Sequence, residues 1–270
     1  MSEHMLEMVH VTKTFNPGTV NEKTALNGVS LVLEKGDFAT IVGSNGAGKS
    51  TLFNAITGAF YTDDGTILLD GEDITFKKEH LRSRDIGHLF QDPLMGTAPH
   101  MSIEENMSLA YLKASRHKSM FSSITRREKE FFREQLSQLG MGLEDRMKNP
   151  VGLLSGGQRQ ALTLVMATMV TPKILLLDEH TAALDPATAD IVLDLTKKIV
   201  RENSLTCLMI THNMHQALEI GNRTLMMDNG HIILDKSGEE RASMTVEDLL
   251  EQFRIQAGME LDNDRILLSE

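Results

Sequence analysis

The 270-residue chain predicts an α/β fold, with a mixed or parallel core sheet interrupted by a helical insertion. Three observations carry that prediction. A short apolar run, Phe38 to Val42, feeds a glycine-rich loop and then a helical stretch, Thr51 to Thr57. A second apolar run, Ile174 to Leu177, ends in two acids and leads through a helical pattern to a third run, Leu205 to Ile210. From about residue 100 to 170 the apolar period is helical. Strands that alternate with helices pair in parallel.

Composition bounds the function. Hydrophobic residues make up 41% and charged residues 24% of the chain, as in a folded globular protein. The length suits one large α/β domain, or a domain with a subdomain. A formal net charge of −11 argues against a nucleic-acid binder that relies on a broad basic surface. The one cysteine, Cys207, cannot form an internal disulfide and sits in an apolar run. It reads as a small buried hydrophobe in a reducing compartment. The first residues, Met1 to Met5, show no signal peptide. No apolar run approaches the roughly 20 residues that span a bilayer. Work at a membrane would then require a partner.

Residues 5–15 read as a strand or strand pair ending at Phe15, followed by a turn-rich loop through Asn16-Pro17-Gly18. Ala25 to Leu33 is a second strand. Thr66 to Leu69 before Asp70-Gly71, and Ile86 to Phe90 before Gln91-Asp92-Pro93, are two more. Thr125 and Glu128 form a capping box, and Phe132, Leu136 and Leu139 fall on one helical face. Lys113, Arg116, Lys118, Arg126, Arg127 and Lys129 make a locally basic segment, read as a solvated face or a contact for anionic headgroups or a partner. Asp185-Pro186 starts a helix whose apolar face is read as Ile191, Leu195 and Ile199. Asp228-Asn229-Gly230 between apolar runs is a hairpin signal. Thr245 and Asp248 cap a helix bearing Val246, Leu249, Leu250 and Phe253, and residues 258–270 read as a loose or partner-held tail.

The glycine loop is Gly43-Ser44-Asn45-Gly46-Ala47-Gly48-Lys49-Ser50-Thr51. Strand, glycine loop and helix together are the context of a phosphate-binding loop. Glycines let successive N–H groups turn inward, and the helix start adds its positive dipole end. Lys49 would reach the β- and γ-phosphates of a nucleotide, and the Ser50 hydroxyl would hold Mg²⁺. Asp178, at the end of the Ile174–Leu177 run, suits a carboxylate that holds Mg²⁺ through its water shell. Glu179 is placed to orient or deprotonate an attacking water.

Leu154-Ser155-Gly156-Gly157-Gln158-Arg159-Gln160 precedes a helix of small and apolar residues. Ser155, Gly156 and Gly157 at a helix start form a second anion site. With these motifs in this order, the chain from Phe15 to about Leu234 resembles the ATP-binding subunits of ABC transporters.

The resemblance implies an ABC ATPase domain spanning 1–270. Its RecA-like core with N-terminal antiparallel strands would cover 1–91 and 164–240. A helical subdomain with the signature stretch would cover 92–163, and a C-terminal helix and tail 241–270. It implies a homodimer in which the loop of one subunit faces Ser155, Gly156, Gly157 and Gln158 of the other across ATP. By the same resemblance Phe15 stacks on adenine, or else is a core aromatic. Gln91 touches Mg²⁺ and water, Asp185 lies in a loop crossing the dimer interface, and His212 contacts the γ-phosphate. Where the family usually has proline or alanine after the two acids, this chain has His180, which leaves that turn less fixed. Membrane permease subunits docked on the helical insertion, a substrate-binding protein reached through them, no nucleic acid and a peripheral place on the cytoplasmic side of the cell membrane follow as expectations. A finer resemblance is to bacterial importers of tryptophan or tyrosine type. It rests on Phe90-Gln91-Asp92-Pro93-Leu94-Met95-Gly96-Thr97-Ala98-Pro99 and on Leu177-Asp178-Glu179-His180-Thr181-Ala182-Ala183-Leu184-Asp185-Pro186. The alternatives are an export ATPase with a separate permease, or a non-transport ABC ATPase acting on nucleic acid or the ribosome.

Overall fold

The computed structural model describes residues 4–114 and 124–257. Strands β1 (His4–Phe15), β2 (Lys23–Glu34) and β3 (Phe38–Gly43) lead to helix α1 (Lys49–Thr57). Strand β4 (Asp64–Leu69), the two-residue β5 (Glu72–Asp73) and the single turn α2 (Glu79–Arg82) follow. Next come β6 (Ile86–Leu89), α3 (Ile103–Ala114), α4 (Arg126–Ser137), a 3-10 turn at Val151–Leu153, α5 (Gly156–Thr168), β7 (Ile174–Asp178) and α6 (Pro186–Glu202). The chain continues through β8 (Thr206–Ile210), α7 (Met214–Glu219), β9 (Arg223–Asp228), β10 (His231–Ser237), α8 (Gly238–Ala242) and α9 (Val246–Ala257). Contacts divide it into two compact units, one running to Arg82 and resuming at Leu205, the other spanning Ser83–Ser204.

The first unit holds the antiparallel strands in the order β2-β1-β4-β5. It also holds β3, which pairs in parallel with β8 on one side and β9 on the other, while β9 and β10 form an antiparallel hairpin. Every residue of β3 and of β8 is buried, as their largely apolar sequences require, Thr40 and Thr206 included. Asn229 and Gly230, at φ 45 and 77, make the tight turn of the β9–β10 hairpin. Helix α9 starts at the Thr245–Asp248 cap, where the Asp248 carboxylate accepts from the Thr245 N–H at 2.8 Å. It packs Leu249, Leu250 and Phe253 against Val42, Met214 and Met226.

Helix α1 is anchored at its far end by a residue with no sequence signal. The Arg82 side chain is 1% exposed. Its guanidinium donates to the carbonyls of Ala55 (2.7 Å) and Ile56 (2.9 Å) in the last turn of α1, and to those of Thr75 (2.9 Å) and Lys77 (2.7 Å). A cation there meets both the unpaired carbonyls and the negative end of the helix dipole.

In the second unit β6 and β7 pair in parallel, Ile86 opposite Ile174 and Leu89 opposite Leu177. The helical part has its own core, including Ile103, Met107, Phe132, Leu136, Leu143 and Leu162. The Thr125–Glu128 capping box forms as predicted and starts α4. Helix α6 buries Val192, Leu193, Thr196, Ile199 and Val200, and Leu195 packs half-buried against the helical core. Of the expected face only Ile191 is corrected: it is 56% exposed. Arg116 and Lys118 of the basic segment, and the 258–270 tail, lie outside the described residues.

Candidate functional site: a glycine loop and its companion motifs

The glycine loop leaves the buried end of β3 in a conformation only glycine tolerates. Gly43, Gly46 and Gly48 have φ of 151, 83 and 106. A Cβ on Gly43 would stand 2.1 Å from the Met227 carbonyl oxygen, and one on Gly48 would stand 2.5 Å from that of Ala25. The loop is thus seated against β9 and β2. The Gly230 N–H donates to the Ala47 carbonyl (2.9 Å), and the Ser44 hydroxyl lies 3.3 Å from an Asp228 carboxylate oxygen. Gly48 caps α1 without a side-chain hydrogen bond, so no side-chain oxygen of the cap residue covers the first N–H groups of the helix. Lys49 is buried, and its Nζ donates to the carbonyls of Gly43 (2.7 Å) and Ser44 (3.0 Å). Ser50 is exposed beside it, and Asn45 is exposed on the loop. Inward-turned glycines, an uncovered helix start and a lysine ammonium inside the loop can hold a chain of phosphates.

Two further residues of the same unit were predicted for this site. His212 is exposed two residues past β8. Its position is set by Thr211, whose N–H donates to the Ile41 carbonyl (3.1 Å) of β3, and by Asn213, which caps α7. Strand β8 runs parallel to β3, so both strands release their loops at the same edge of the sheet, the usual place for ligand binding. Phe15 ends β1, half-buried, with its ring edge-on to Phe60 at 5.4 Å.

The second unit carries the other predicted residues. Gln91 is exposed, two residues past β6. Asp178 ends β7, and Glu179 follows with φ 43, a left-handed conformation that costs an ordinary residue about 1 kcal/mol. The structure corrects the expectation for His180. Its ring is 1% exposed, and Nε2 stands 3.2 Å from the Thr196 hydroxyl on α6. The turn bearing Glu179 is fixed by this contact rather than by a proline. Burial pulls the imidazole down to about 4, so it is neutral at pH 7.

Ser155 caps α5 in a reciprocal box: its hydroxyl accepts from the Gln158 N–H (3.2 Å), and Gln158 accepts from the Ser155 N–H (3.3 Å). Within the box the hydroxyl acts only as an acceptor. Gly156 is exposed, whereas Gly157 is buried under α6. A Cβ on Gly157 would stand 2.1 Å from the Thr188 methyl group. The second glycine therefore has a packing role the motif did not reveal. Asp185 caps α6, accepting from the Thr188 N–H at 3.1 Å. Hydrogen bonds from the Thr188 side chain and backbone hold its carboxyl below the usual carboxylate range.

A glycine loop that leaves a buried parallel strand and enters a helix is the mark of the phosphate-loop nucleotide-binding fold. Residues 26–182 match the ABC transporter family. The chain is 41% identical over 249 residues to a tyrosine transport ATP-binding protein of Clostridioides difficile, covering 92% of this chain and 98% of that protein. It is 35% identical over 232 residues to a methionine import ATP-binding protein of Enterococcus faecalis, covering 85% of this chain and 64% of that protein. Among solved structures it is similar to a dimeric ATP-binding cassette in a post-hydrolysis state with ADP and Pi. That likeness has a TM-score of 0.74 at 26% identity and covers 86% of this chain and 98% of the other. The chain belongs to the ABC transporter family, as one of its ATPase cassettes. No helix among the described residues is long and apolar enough to cross a membrane.

Proposed function

We propose that this chain is the ATP-hydrolysing subunit of a bacterial importer for an amino acid or a related small solute. The observation that carries this reading is the similarity to a tyrosine transport ATP-binding protein over 98% of that protein's length. Lys49 and the N–H groups of Gly43, Ser44, Asn45, Gly46, Ala47 and Gly48 hold the β- and γ-phosphates, with Ser50 and Thr51 at the helix start. Phe15 stacks on the adenine. Glu179 takes the proton of the attacking water as its oxygen bonds to the γ-phosphorus and the bond to the β-phosphate oxygen breaks. His212 donates to the γ-phosphate.

Mg²⁺ neutralises charge on the phosphates when bound. No cluster of three or more acidic, histidine or cysteine side chains among the described residues could hold a metal by itself. A nucleotide-bound Mg²⁺ needs few protein ligands, here a hydroxyl, a carboxylate and an amide oxygen. Ser50, Asp178 and Gln91 are the residues that would hold it.

The Ser155, Gly156, Gly157 and Gln158 helix start serves the loop of a second copy of the chain, and Asp185 lies at that interface. Permease subunits dock on the helical part, at the cytoplasmic face of the membrane, and a substrate-binding protein delivers the solute to them. Two measurements test the reading. Glu179→Gln in the membrane-assembled complex should retain ATP and lose turnover by about a hundredfold or more. Wild-type-like turnover would sink the assignment of the base. Co-purification with a permease and a solute-binding protein supports import, while recovery with ribosomes or DNA overturns it.

A further inference from the structure

The glycine loop has a second lysine beside it that no motif includes. Lys23 opens β2 and is the cross-strand partner of Phe15 on β1. Its Nζ stands 3.2 Å from where a Cβ on Gly46 would be, over the exposed crest of the loop. Backbone contacts set this placement. Two residues further along β2, the Ala25 carbonyl lies against Gly48 and Gly230, and the Asn27 N–H donates to the Gly230 carbonyl at 3.0 Å. Strand β2 is therefore docked on the loop where Lys23 leaves it.

Two neighbouring charged side chains are engaged elsewhere. The Lys13 ammonium is held by Asp63 (2.7 Å) and the Tyr61 carbonyl (2.9 Å). The adjacent acid, Glu22, turns back to accept from the Gly18 N–H of its own loop. Lys23 is exposed, and among the described residues it makes no ion pair or side-chain hydrogen bond. An ammonium aimed at a phosphate-binding loop, with no protein anion to neutralise it, is matched by a phosphate oxygen.

We propose that Lys23 is a nucleotide-contacting residue that gives a second ammonium to the polyphosphate chain, on the side nearer the nucleoside. The inference rests on the nucleotide reading above. Its place opposite Phe15 puts it at the base end of the loop, so it serves the phosphates that ATP and ADP share. Lys49 occupies the interior of the loop, and Lys23 approaches from outside. The contact is made equally in the ground state and the transition state, so it sets affinity rather than rate.

The experiment measures dissociation constants of MgATP and MgADP by calorimetry for wild type, Lys23→Gln and Lys23→Arg, at low and high salt. Lys23→Gln should weaken both nucleotides about tenfold, the equivalent of one charge-assisted contact. Its affinities should also vary less with salt than those of wild type. Lys23→Arg should recover most of the loss. In turnover KM should rise with kcat unchanged. An unchanged affinity for both nucleotides overturns the proposal. So does a loss confined to ATP, which would place the ammonium at the γ-phosphate. If wild type itself binds neither nucleotide, the wider reading fails and the lysine is not the cause. Lys23 is exposed, so an unchanged melting temperature separates lost contact from lost fold.

Discussion

The buried imidazole of His180 is tied to Thr196, with Nε2 3.2 Å from the threonine hydroxyl. That hydroxyl donates its own proton to the Val192 carbonyl at 2.8 Å, so it accepts from the ring, and Nε2 carries the hydrogen. Thr196→Val leaves a buried N–H without an acceptor and should cost about 1–3 kcal/mol in urea unfolding, while Thr196→Ser should cost under about 1 kcal/mol. Because the same turn carries Glu179, kcat should fall in Thr196→Val with KM for ATP little changed. Equal stability of the two variants would remove the hydrogen bond from the account.

Gly157 and Thr188 make a reciprocal pair. Gly157→Ala forces a methyl group into the Thr188 side chain, 2.1 Å away. It should destabilise the protein by about 1–3 kcal/mol. Thr188→Ser removes the obstructing methyl, so the double variant should recover most of the loss. A double-mutant cycle in denaturant reads the coupling, and strict additivity would contradict it.

Arg82→Met keeps an apolar stem and abandons the carbonyls of Ala55, Ile56, Thr75 and Lys77. The expected loss is about 3 kcal/mol or more, because several buried acceptors lose a charged donor together. Lysine cannot span the same carbonyls, so Arg82→Lys should also be destabilised. Thermal melting tests both. Weaker nucleotide binding should accompany the loss, since α1 presents the phosphate loop at its other end.

His88 gives a pH dependence. Burial, and then the nearby charge of Lys113, pull its ring down to about 4 from the ordinary 6.5. The unfolded chain takes up a proton near pH 6.5, whereas the folded ring does not until about 4. Stability from this group is therefore complete above pH 6.5 and is lost as pH falls toward 4, by about 3 kcal/mol in all. His88→Gln should flatten the urea midpoint between pH 7 and pH 5 relative to wild type. An unchanged slope would count against it.

What the sequence made legible was local. The glycine loop, the Thr125–Glu128 cap and the Asn229–Gly230 turn each lie within a few residues, where spacing dictates geometry. The Ser155 motif also carries a legible capping box, since Gln158 stands three residues on. The features that fix the site from behind were not legible. Arg82 reaches Ala55 across 27 positions, and His180 reaches Thr196 across 16. No periodicity links such residues, because the fold brings them together. For the same reason the sequence makes His180 look like a loosened turn and Ile191 look like part of the buried face of α6.

The Asn229–Gly230 turn has a consequence for how this protein ages. In an asparagine–glycine pair the glycine nitrogen can attack the asparagine side-chain carbonyl and expel ammonia, and water then opens the resulting cyclic imide to aspartate or isoaspartate. Here that nitrogen is engaged, since the Gly230 N–H donates to the Ala47 carbonyl of the phosphate loop. The loop guards the turn that braces it. Each local opening of the hairpin exposes the reactive pair, and deamidation would then set a new negative charge next to Asp228, which already touches Ser44. Peptide maps of stored protein should therefore show damage at Asn229 in step with lost nucleotide affinity, and slower damage when nucleotide is present.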